Sequence, residues 1–325
     1  MASEKIKNCM ALDLAAETQR ITQSLRTALA SHLHRRGLVI AMSGGIDSSV
    51  VAALCVEAVG PQRVYGLMLP ETDSSSSSLD KAKAVADKLG LKYEVQNIAP
   101  ALQALGCYDR RDEAMRRVIP GYGKGWTSKI VITGGLQGRY NHFDLVVRDP
   151  NGKEQRERLP LQEYLQIVAA TNYKQRIRKS IEYFHADRLN YAVAGTPNRL
   201  EYDQGFFVKN GDGAADIKPI SHLYKTQVYA LAAHFDLPEK VRSAAPTTDT
   251  YSLPQGQDEF YFALPYAQMD VALWAHNHKI PAADLARQIG ITEEQASRVY
   301  VDIEAKRRAA AYLHSPGLVV ADITV

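Results

Sequence analysis

A short run of serines and glycines with one aspartate has the composition of a phosphate-binding turn. It reads Ser43-Gly44-Gly45-Ile46-Asp47-Ser48-Ser49. The glycines let the backbone turn sharply, and a helix starting here would aim its free N–H groups and positive dipole end at one point. No Gly-Lys-Ser/Thr follows, so the run is not a Walker A loop. Because Asp47 would repel phosphate unless Mg²⁺ lay between them, we expect Asp47 to be a metal ligand.

The flanking sequence predicts strands that present this turn at one edge of a sheet. Residues 38–42 (LVIAM) are a short apolar run before the turn, and residues 48–60 read as a helix ending at Gly60. A second strand (63–70), a second helix that ends before Gly90, and a third strand (KYEVQNI) continue the alternation. Strands alternating with helices indicate right-handed crossovers, so the sequence predicts a doubly wound α/β fold with a parallel sheet.

The rest of the chain divides into an interruption and a helical end. Residues 106–160 are rich in Gly, Arg and Tyr and contain a predicted hairpin with Asn151-Gly152 as its turn, which indicates an insertion or lid. A long helix over about 161–186, a strand at 189–195, a functional loop at 196–219 and further helices are predicted to follow. We expect one domain over residues 1–270, including the insertion at about 106–160, and a helical C-terminal extension over residues 271–325.

Composition narrows the class of protein. The 325 residues carry a formal net charge of +3, too small to indicate a nucleic-acid partner by itself, and 46% of them are hydrophobic. The cysteines, Cys9, Cys55 and Cys107, have no metal-binding or redox spacing and fit a reducing, cytoplasmic setting. No signal-peptide core and no membrane-spanning apolar run is evident. The serine run 74–78 is equally consistent with a flexible linker or a helix-entry loop near the nucleotide.

Several motifs, in order, resemble one enzyme family. The turn at Ser43–Ser49 resembles the pyrophosphate loop of N-type ATP pyrophosphatases, whose fold is of the adenine nucleotide alpha hydrolase type. Four other segments resemble the ammonia-dependent NAD synthetase family, and the resemblance covers roughly residues 20–110 and 160–270. These segments are 195–201 (GTPNRLE), 205–232 (GFFVKNGDGAADIKPISHLYKTQVYALA), 246–260 (PTTDTYSLPQGQDEF) and 172–178 (NYKQRIR).

The resemblance implies residue roles. Asp47 and Lys225 would be catalytic, Lys225 by stabilising charge at the α-phosphate, and Asp47 with Glu201 would hold Mg²⁺. The implied ATP-binding residues are Ser43, Gly44, Gly45, Asp47, Ser48, Ser49, Thr196, Lys225 and Thr247. The implied substrate-binding residues are Arg176, Lys209, Asp216 and Lys306. Simpler interpretations stay open: Glu201 and Asp216 as solvated turn carboxylates, Asp212 as a turn former, Lys209 and Arg176 as surface charges, Thr247 as a helix cap, and Phe206 and Phe207 as core residues.

The implied reaction is an AMP-forming ligation. The family adenylates deamido-NAD with ATP as co-substrate and Mg²⁺ as cofactor, and then amidates it with ammonia to NAD; a homodimer is also implied. The chain shows no built-in glutaminase, so ammonia would come from solution or from a separate glutaminase.

In two places the sequence departs from the family pattern, so it does not identify which carboxylate is the substrate. A histidine of the family is absent at Ala305-Lys306-Arg307-Arg308, and segment 106–160 is longer than in compact relatives. Nicotinate mononucleotide or a biosynthetic acid is the alternative substrate.

Two alternatives belong to other functional classes. The helices predicted around Gly290, with Thr292 and Gln295 as a capping box, have the spacing of a DNA-binding helix-turn-helix or of a structural helix pair in which Leu285, Ile289 and Val299 face a core. tRNA thiolation by the same ATP loop would require a catalytic cysteine pair or an RNA-binding domain, and neither is evident.

Overall fold

The computed structural model describes residues 6–133, 142–245, 251–253, 256, 261–262 and 264–320. Its strands are β1 Leu38–Ala41, β2 Val64–Met68, β3 Lys92–Val95, β4 Thr127–Thr133, β5 His142–Arg148, β6 Glu154–Arg158 and β7 Ala192–Ala194. Its longer helices and short helical segments are α1 Leu14–Thr27, α2 Ile46–Val59, α3 Ser76–Leu89, α4 Ala99–Ala104, α5 Cys107–Val118, α6 Leu161–Leu189, α7 Arg199–Gln204, α8 Lys225–His234, α9 Glu239–Arg242, α10 Tyr266–Asn277, α11 Ala282–Ile289 and α12 Glu293–His314.

A parallel sheet buried on both faces forms the centre of the fold. In β1, Leu38 and Ile40 pack against the core beneath α1, α2, α3 and α8, whereas Val39 packs on the opposite face with α4, α5 and α6. Successive strand residues point to opposite faces, so a strand covered on both sides must be apolar throughout. The predicted doubly wound α/β architecture is confirmed.

The strand order places one sheet edge at a topological switch point. The order is β3-β2-β1-β7, and all neighbours are parallel. The chain moves outward from β1 to β3 and then returns through α6 to β7 on the other side of β1. Ligands of open α/β sheets bind in the crevice outside the carboxyl ends of the strands at such a point. The segments after β1 and β7 therefore meet at this edge.

The glycine turn after β1 is packed against the start of α3. Gly44 has φ +80°, and a Cβ atom on it would lie 2.1 Å from the backbone oxygen of Ser78. Helix α3 begins at Ser76, so the second half of the serine run is helical and the run lies beside the turn. Of its two interpretations, the helix-entry loop is the one that the structure supports.

The interruption at 106–160 is a folded unit with its own core. β4, β5 and β6 form an antiparallel sheet, and β5–β6 is the predicted hairpin. Asp149 Oδ1 accepts the N–H groups of Asn151 and Lys153 at its turn. The sequence analysis did not predict β4 or α5. Ile130, Leu145 and Val147 of the sheet pack against α5 and α6.

Three boundaries differ from the sequence prediction. The loop predicted over 196–219 contains the short helix α7. The second helix of the predicted pair around Gly290 is not short, because α12 extends over 22 residues. The domain boundary predicted at residue 270 falls inside α10. Among the described residues, none of the helices combines the length and apolar character needed to cross a bilayer.

The close approach at Gly44 generates a stability prediction. Gly44→Ala would introduce both a strained backbone and a clash with a backbone oxygen. Gly90 is also left-handed, with φ +64°, but nothing lies within 4 Å of its added Cβ. We expect Gly90→Ala to lower the free energy of unfolding by about 1 kcal/mol and Gly44→Ala to lower it by more, as measured by urea unfolding. Equal losses in the two variants would show that Ser78 yields without cost.

Candidate functional site

The serine hydroxyls of the glycine turn shape its backbone. Ser48 Oγ and Ser49 Oγ donate to the carbonyl oxygen of Gly45 at 3.1 and 2.8 Å, and Ser43 Oγ accepts the Gly45 N–H at 3.2 Å. Helix α2 begins at Ile46, and no side chain caps its first turn. The N–H groups of that turn and the positive end of the helix dipole are therefore available to an anion.

Two acidic segments meet around Asn198 at the switch point. Asn198 Nδ2 donates to Asp47 Oδ1 at 3.1 Å, and the backbone N–H of Asn198 donates to Glu201 Oε2 at 3.1 Å. Asn198 Oδ1 accepts the Glu201 N–H at 3.2 Å, which completes a capping box at the start of α7. The sequence analysis did not single out Asn198, although Asn-x-x-Glu before a helix is a recognisable capping signal.

Lys225 completes this acidic group. It is the first residue of α8, its side chain is 2% exposed, and its Nζ forms an ion pair with Asp47 Oδ2. Burial alone would lower the pKa of Lys225, but the carboxylates of Asp47 and Glu201 outweigh it and raise the pKa above the ordinary value. Lys225 therefore stays a cation. The structure thus brings together three of the predicted site residues, Asp47, Glu201 and Lys225.

The electrostatics of Glu201 fit a bound divalent cation. Burial, and then the neighbouring charge of Asp47, raise the pKa of Glu201 to about 7. A cation beside these carboxylates would offset the negative charge that Asp47 places near Glu201. No cluster of three or more His, Cys, Asp or Glu side chains with metal-binding geometry occurs in the described part of the chain. Mg²⁺ suits such a site, because it is commonly held by one or two carboxylates together with water and substrate phosphates.

The other predicted ATP-binding threonines have different outcomes. Thr196 is half-buried and lies just beyond the carboxyl end of β7, the strand that neighbours β1. Thr247 lies outside the described residues. Thr196 is therefore on the same sheet edge as the glycine turn.

The predicted substrate-binding residues make contacts within the protein. Arg176 Nε donates to the carbonyl oxygen of Lys209 at 3.3 Å. Lys209 Nζ donates to the carbonyl oxygens of Tyr312 and Ser315 at 2.8 and 2.9 Å, so it also holds the end of α12. Asp216 Oδ2 accepts the Val193 N–H at 2.7 Å, beside β7. These contacts place Arg176 and Lys209 together.

Lys306 and its neighbour are engaged in the helical part. Lys306 Nζ donates to the Tyr261 carbonyl oxygen and to Asp302, both at 2.6 Å, and burial lowers its pKa. Arg307 pairs with Asp203 at 2.7 Å. The predicted capping box of Thr292 and Gln295 is confirmed. Leu285 and Val299 are buried, and Ile289 packs against the same core. These contacts favour the structural helix pair over a DNA-binding helix-turn-helix.

A buried charge network, which the sequence analysis did not predict, lies beyond the end of β2. Lys174 Nζ, on a side chain 1% exposed, lies 2.6 Å from Asp73 Oδ2 and 3.1 Å from Glu71 Oε1. Arg111 of α5 also pairs with Asp73 at 2.5 Å. Burial would raise the pKa of Asp73, but Lys174 and Arg111 lower it overall. The network ties the segment between β2 and α3 to α5 and α6.

The comparisons with known proteins agree with this geometry. A sequence model of the NAD synthase family matches residues 17–118 and 148–309. The chain is 57% identical over 304 residues to an NH(3)-dependent NAD(+) synthetase of Rhizobium meliloti, which covers 93% of this chain and 91% of that protein. It is 55% identical over 315 residues to one of Mesorhizobium japonicum, with 97% and 99% covered.

The structural comparison supports the fold. A solved NH3-dependent NAD synthetase from Campylobacter jejuni superposes with a TM-score of 0.62 at 20% identity, covering 95% of this chain and all of the other. The internal segment that the family match leaves out, 119–147, contains β4 and most of β5. With most of the chain matched and close relatives over nearly its whole length, this chain belongs to the NAD synthase family.

Proposed function

We propose that this chain is an ammonia-dependent NAD synthetase, a C–N ligase that converts deamido-NAD, ATP and ammonia to NAD, AMP and pyrophosphate. One observation carries the proposal: a glycine turn suited to phosphate lies at the switch point beside Asp47, Glu201 and Lys225. The two curated relatives named above are described as NH(3)-dependent NAD(+) synthetases. A third relative, from Rhizobium rhizogenes, is 52% identical over 314 residues and has the same description.

In the first step, an oxygen of the substrate carboxylate attacks the α-phosphorus of ATP. The bond from that phosphorus to the bridging oxygen breaks, and pyrophosphate leaves with the electron pair. The free N–H groups at the start of α2 and the ammonium of Lys225 would stabilise the negative charge that builds on the phosphate oxygens. No covalent enzyme nucleophile is required, so the catalytic contribution of the chain is positioning and electrostatics.

In the second step, ammonia attacks the acyl carbon of the adenylate. A C–N bond forms, AMP leaves with the electron pair of the broken C–O bond, and the nitrogen loses a proton. Asp47 and Glu201 would hold Mg²⁺, which when bound neutralises phosphate charge and orients the triphosphate. We further propose, from family resemblance, that the protein is a homodimer and that it takes ammonia from solution.

A substrate comparison tests the function. Purified protein is incubated with Mg-ATP, ammonium and either deamido-NAD or nicotinate mononucleotide, and AMP and the amide product are measured by chromatography. We expect AMP and NAD in equal amounts with deamido-NAD. Replacing ammonium with glutamine should abolish product. Turnover with nicotinate mononucleotide alone would overturn the proposed substrate, and turnover with glutamine alone would overturn the proposed ammonia source.

The metal assignment predicts the effect of removing either carboxylate. Asp47→Asn and Glu201→Gln keep the side-chain shape but remove charge, so we expect turnover to fall about 10²-fold or more. For Glu201→Gln we also expect the Mg²⁺ concentration for half-maximal rate to rise at least about tenfold. Asp236→Asn is the matched control, because Asp236 pairs with Lys88 at the surface. Variants with unchanged Mg²⁺ dependence would remove these residues from the metal site.

The role of Lys225 predicts a loss confined mainly to the chemical step. Lys225→Met keeps the apolar stem but removes the cation, and we expect kcat to fall about 10²- to 10³-fold. Lys88→Met is the matched control, because it breaks an exposed lysine–aspartate pair instead of a buried one. Thermal unfolding verifies that both variants fold. A loss in the Lys225 variant no greater than in the control would contradict the assignment.

A further inference from the structure

A fully buried carboxylate from another helix caps the helix that carries Lys225. Asp270, on α10, is 0% exposed. Its Oδ1 accepts the Lys225 N–H at 3.2 Å, and its Oδ2 accepts the N–H and the hydroxyl of Thr226, both at 2.7 Å. The first N–H groups of a helix have no partner within the helix, so Asp270 satisfies two of them at the first two residues of α8.

Burying the ionised carboxylate of Asp270 costs free energy. Burial raises the pKa of Asp270 to about 6, although the hydrogen bonds from Thr226 and Lys225 oppose this shift. Among the described residues, the Lys225 ammonium and the side chains of Tyr224 and Cys9 interact electrostatically with Asp270. A serine or threonine at the residue before α8 would cap this helix without burying an acid. Asp270 differs from such a cap because it comes from another helix, α10.

The cap from α10 connects two helices, whereas a local cap acts within one. A local cap, such as the bond from the Tyr224 N–H to Gln227 Oε1 at 3.0 Å, stays within α8 and its first turn and connects the helix to no other element. Asp270 instead ties the backbone of Lys225 itself to α10, which packs within the core formed with Leu200 of α7 and with α12. Helix α7 also carries Glu201. The Lys225 backbone and Glu201 are thus both attached to elements of this core, whereas Asp47 lies on α2, which packs in the core beside the parallel sheet.

We propose that Asp270 is the positioning residue for Lys225, holding the start of α8 so that the ammonium meets Asp47 at the phosphate-binding turn. This proposal rests on the proposed function, because Lys225 acts there on the reacting phosphate. Asp270 accepts hydrogen bonds from the backbone of Lys225 and from the backbone and hydroxyl of Thr226, so it would act on the Lys225 ammonium through the backbone. A shift of about 1 Å in a group that stabilises a transition state can reduce rate about 10²-fold.

Asp270→Asn tests the proposal. The amide keeps the shape, but its one oxygen cannot satisfy all three donors and its NH₂ group faces them. We expect kcat for NAD formation to fall about 10- to 100-fold while KM for ATP stays within about threefold, because Lys225 acts on charge that builds in the transition state. Hydrogen exchange at the Lys225 and Thr226 amides should become faster, as measured by mass spectrometry.

Thr292→Ala is the matched control for a lost helix cap. Thr292 Oγ1 accepts the Gln295 N–H at 3.1 Å at the start of α12, so its loss also removes a helix cap, but that cap is on a different helix from Lys225. We expect a lower melting temperature with kcat within about twofold of wild type. An Asp270→Asn enzyme that loses no more kcat than this control, at a matched folded fraction, would overturn the proposal.

Thr226 supplies a milder pair of variants in case Asp270→Asn fails to fold. Thr226→Val removes the hydroxyl that donates to Asp270, and Thr226→Ser keeps it. We expect Thr226→Val to lower kcat about three- to tenfold and Thr226→Ser to retain wild-type kcat. Equal kcat in the two variants would overturn the proposal. A wild-type enzyme that makes no NAD from deamido-NAD would instead reject the proposed function, which separates the two failures.

Discussion

The buried ion pair between Lys225 and Asp47 is the interaction on which the arrangement of the site depends. Asp47 follows β1, Glu201 follows β7, and the parallel sheet forces both strand ends to the same edge. Burial, and then the negative charge of Asp47, raise the pKa of Glu201 above its ordinary value. The ammonium of Lys225, from a third segment, offsets the negative charge of these carboxylates. The fold therefore holds Asp47 and Glu201 at one sheet edge with Lys225 as their counter-charge.

Such a pair is poor evidence for stability. Removing a lysine ammonium from water costs several kcal/mol, and its attraction to carboxylates repays this only when geometry and hydrogen bonds are good. Here Asn198 binds both carboxylates and Asp270 holds the Lys225 backbone, so the geometry is maintained by groups outside the pair. The ammonium of Lys174 is likewise buried and paired with two carboxylates, those of Glu71 and Asp73. Apolar residues in place of these buried charge pairs would often make a protein equally or more stable. The charge pairs at this sheet edge are therefore better explained by catalysis than by stability.

The sequence alone predicted the parts of this fold that have a local signal. The glycine turn, the alternation of strands and helices, the hairpin at Asn151-Gly152 and the capping box at Thr292 all depend on a few neighbouring residues, and all are confirmed. Helix α5 was not predicted because its sequence, CYDRRDEAMRRV, is mostly charged. Its Arg111 is nevertheless buried, against an aspartate 38 residues away. Burial of charged residues depends on distant partners, so no local pattern could reveal it. The same holds for Asp270, whose partners at Lys225 and Thr226 are more than 40 residues away.

The segment 106–160, predicted as an insertion or lid, has extensive buried contacts with the rest of the protein. A lid would meet the rest of the protein through a hinge and few buried contacts. Here Ile130, Leu145 and Val147 share one core with Met115 of α5 and Ile167 of α6. The edge strand β4 also holds a later part of the chain: the Ser128 carbonyl oxygen accepts the Leu253 N–H at 3.1 Å, and Leu253 packs on Val131 and Val146. β4 and β5 contribute buried side chains on both faces of the sheet, whereas β6 is exposed, and β4 contacts residues 251–253 at its edge. The family match leaves out residues 119–147, which hold β4 and most of β5, whereas the ion pair at the sheet edge lies within the matched part.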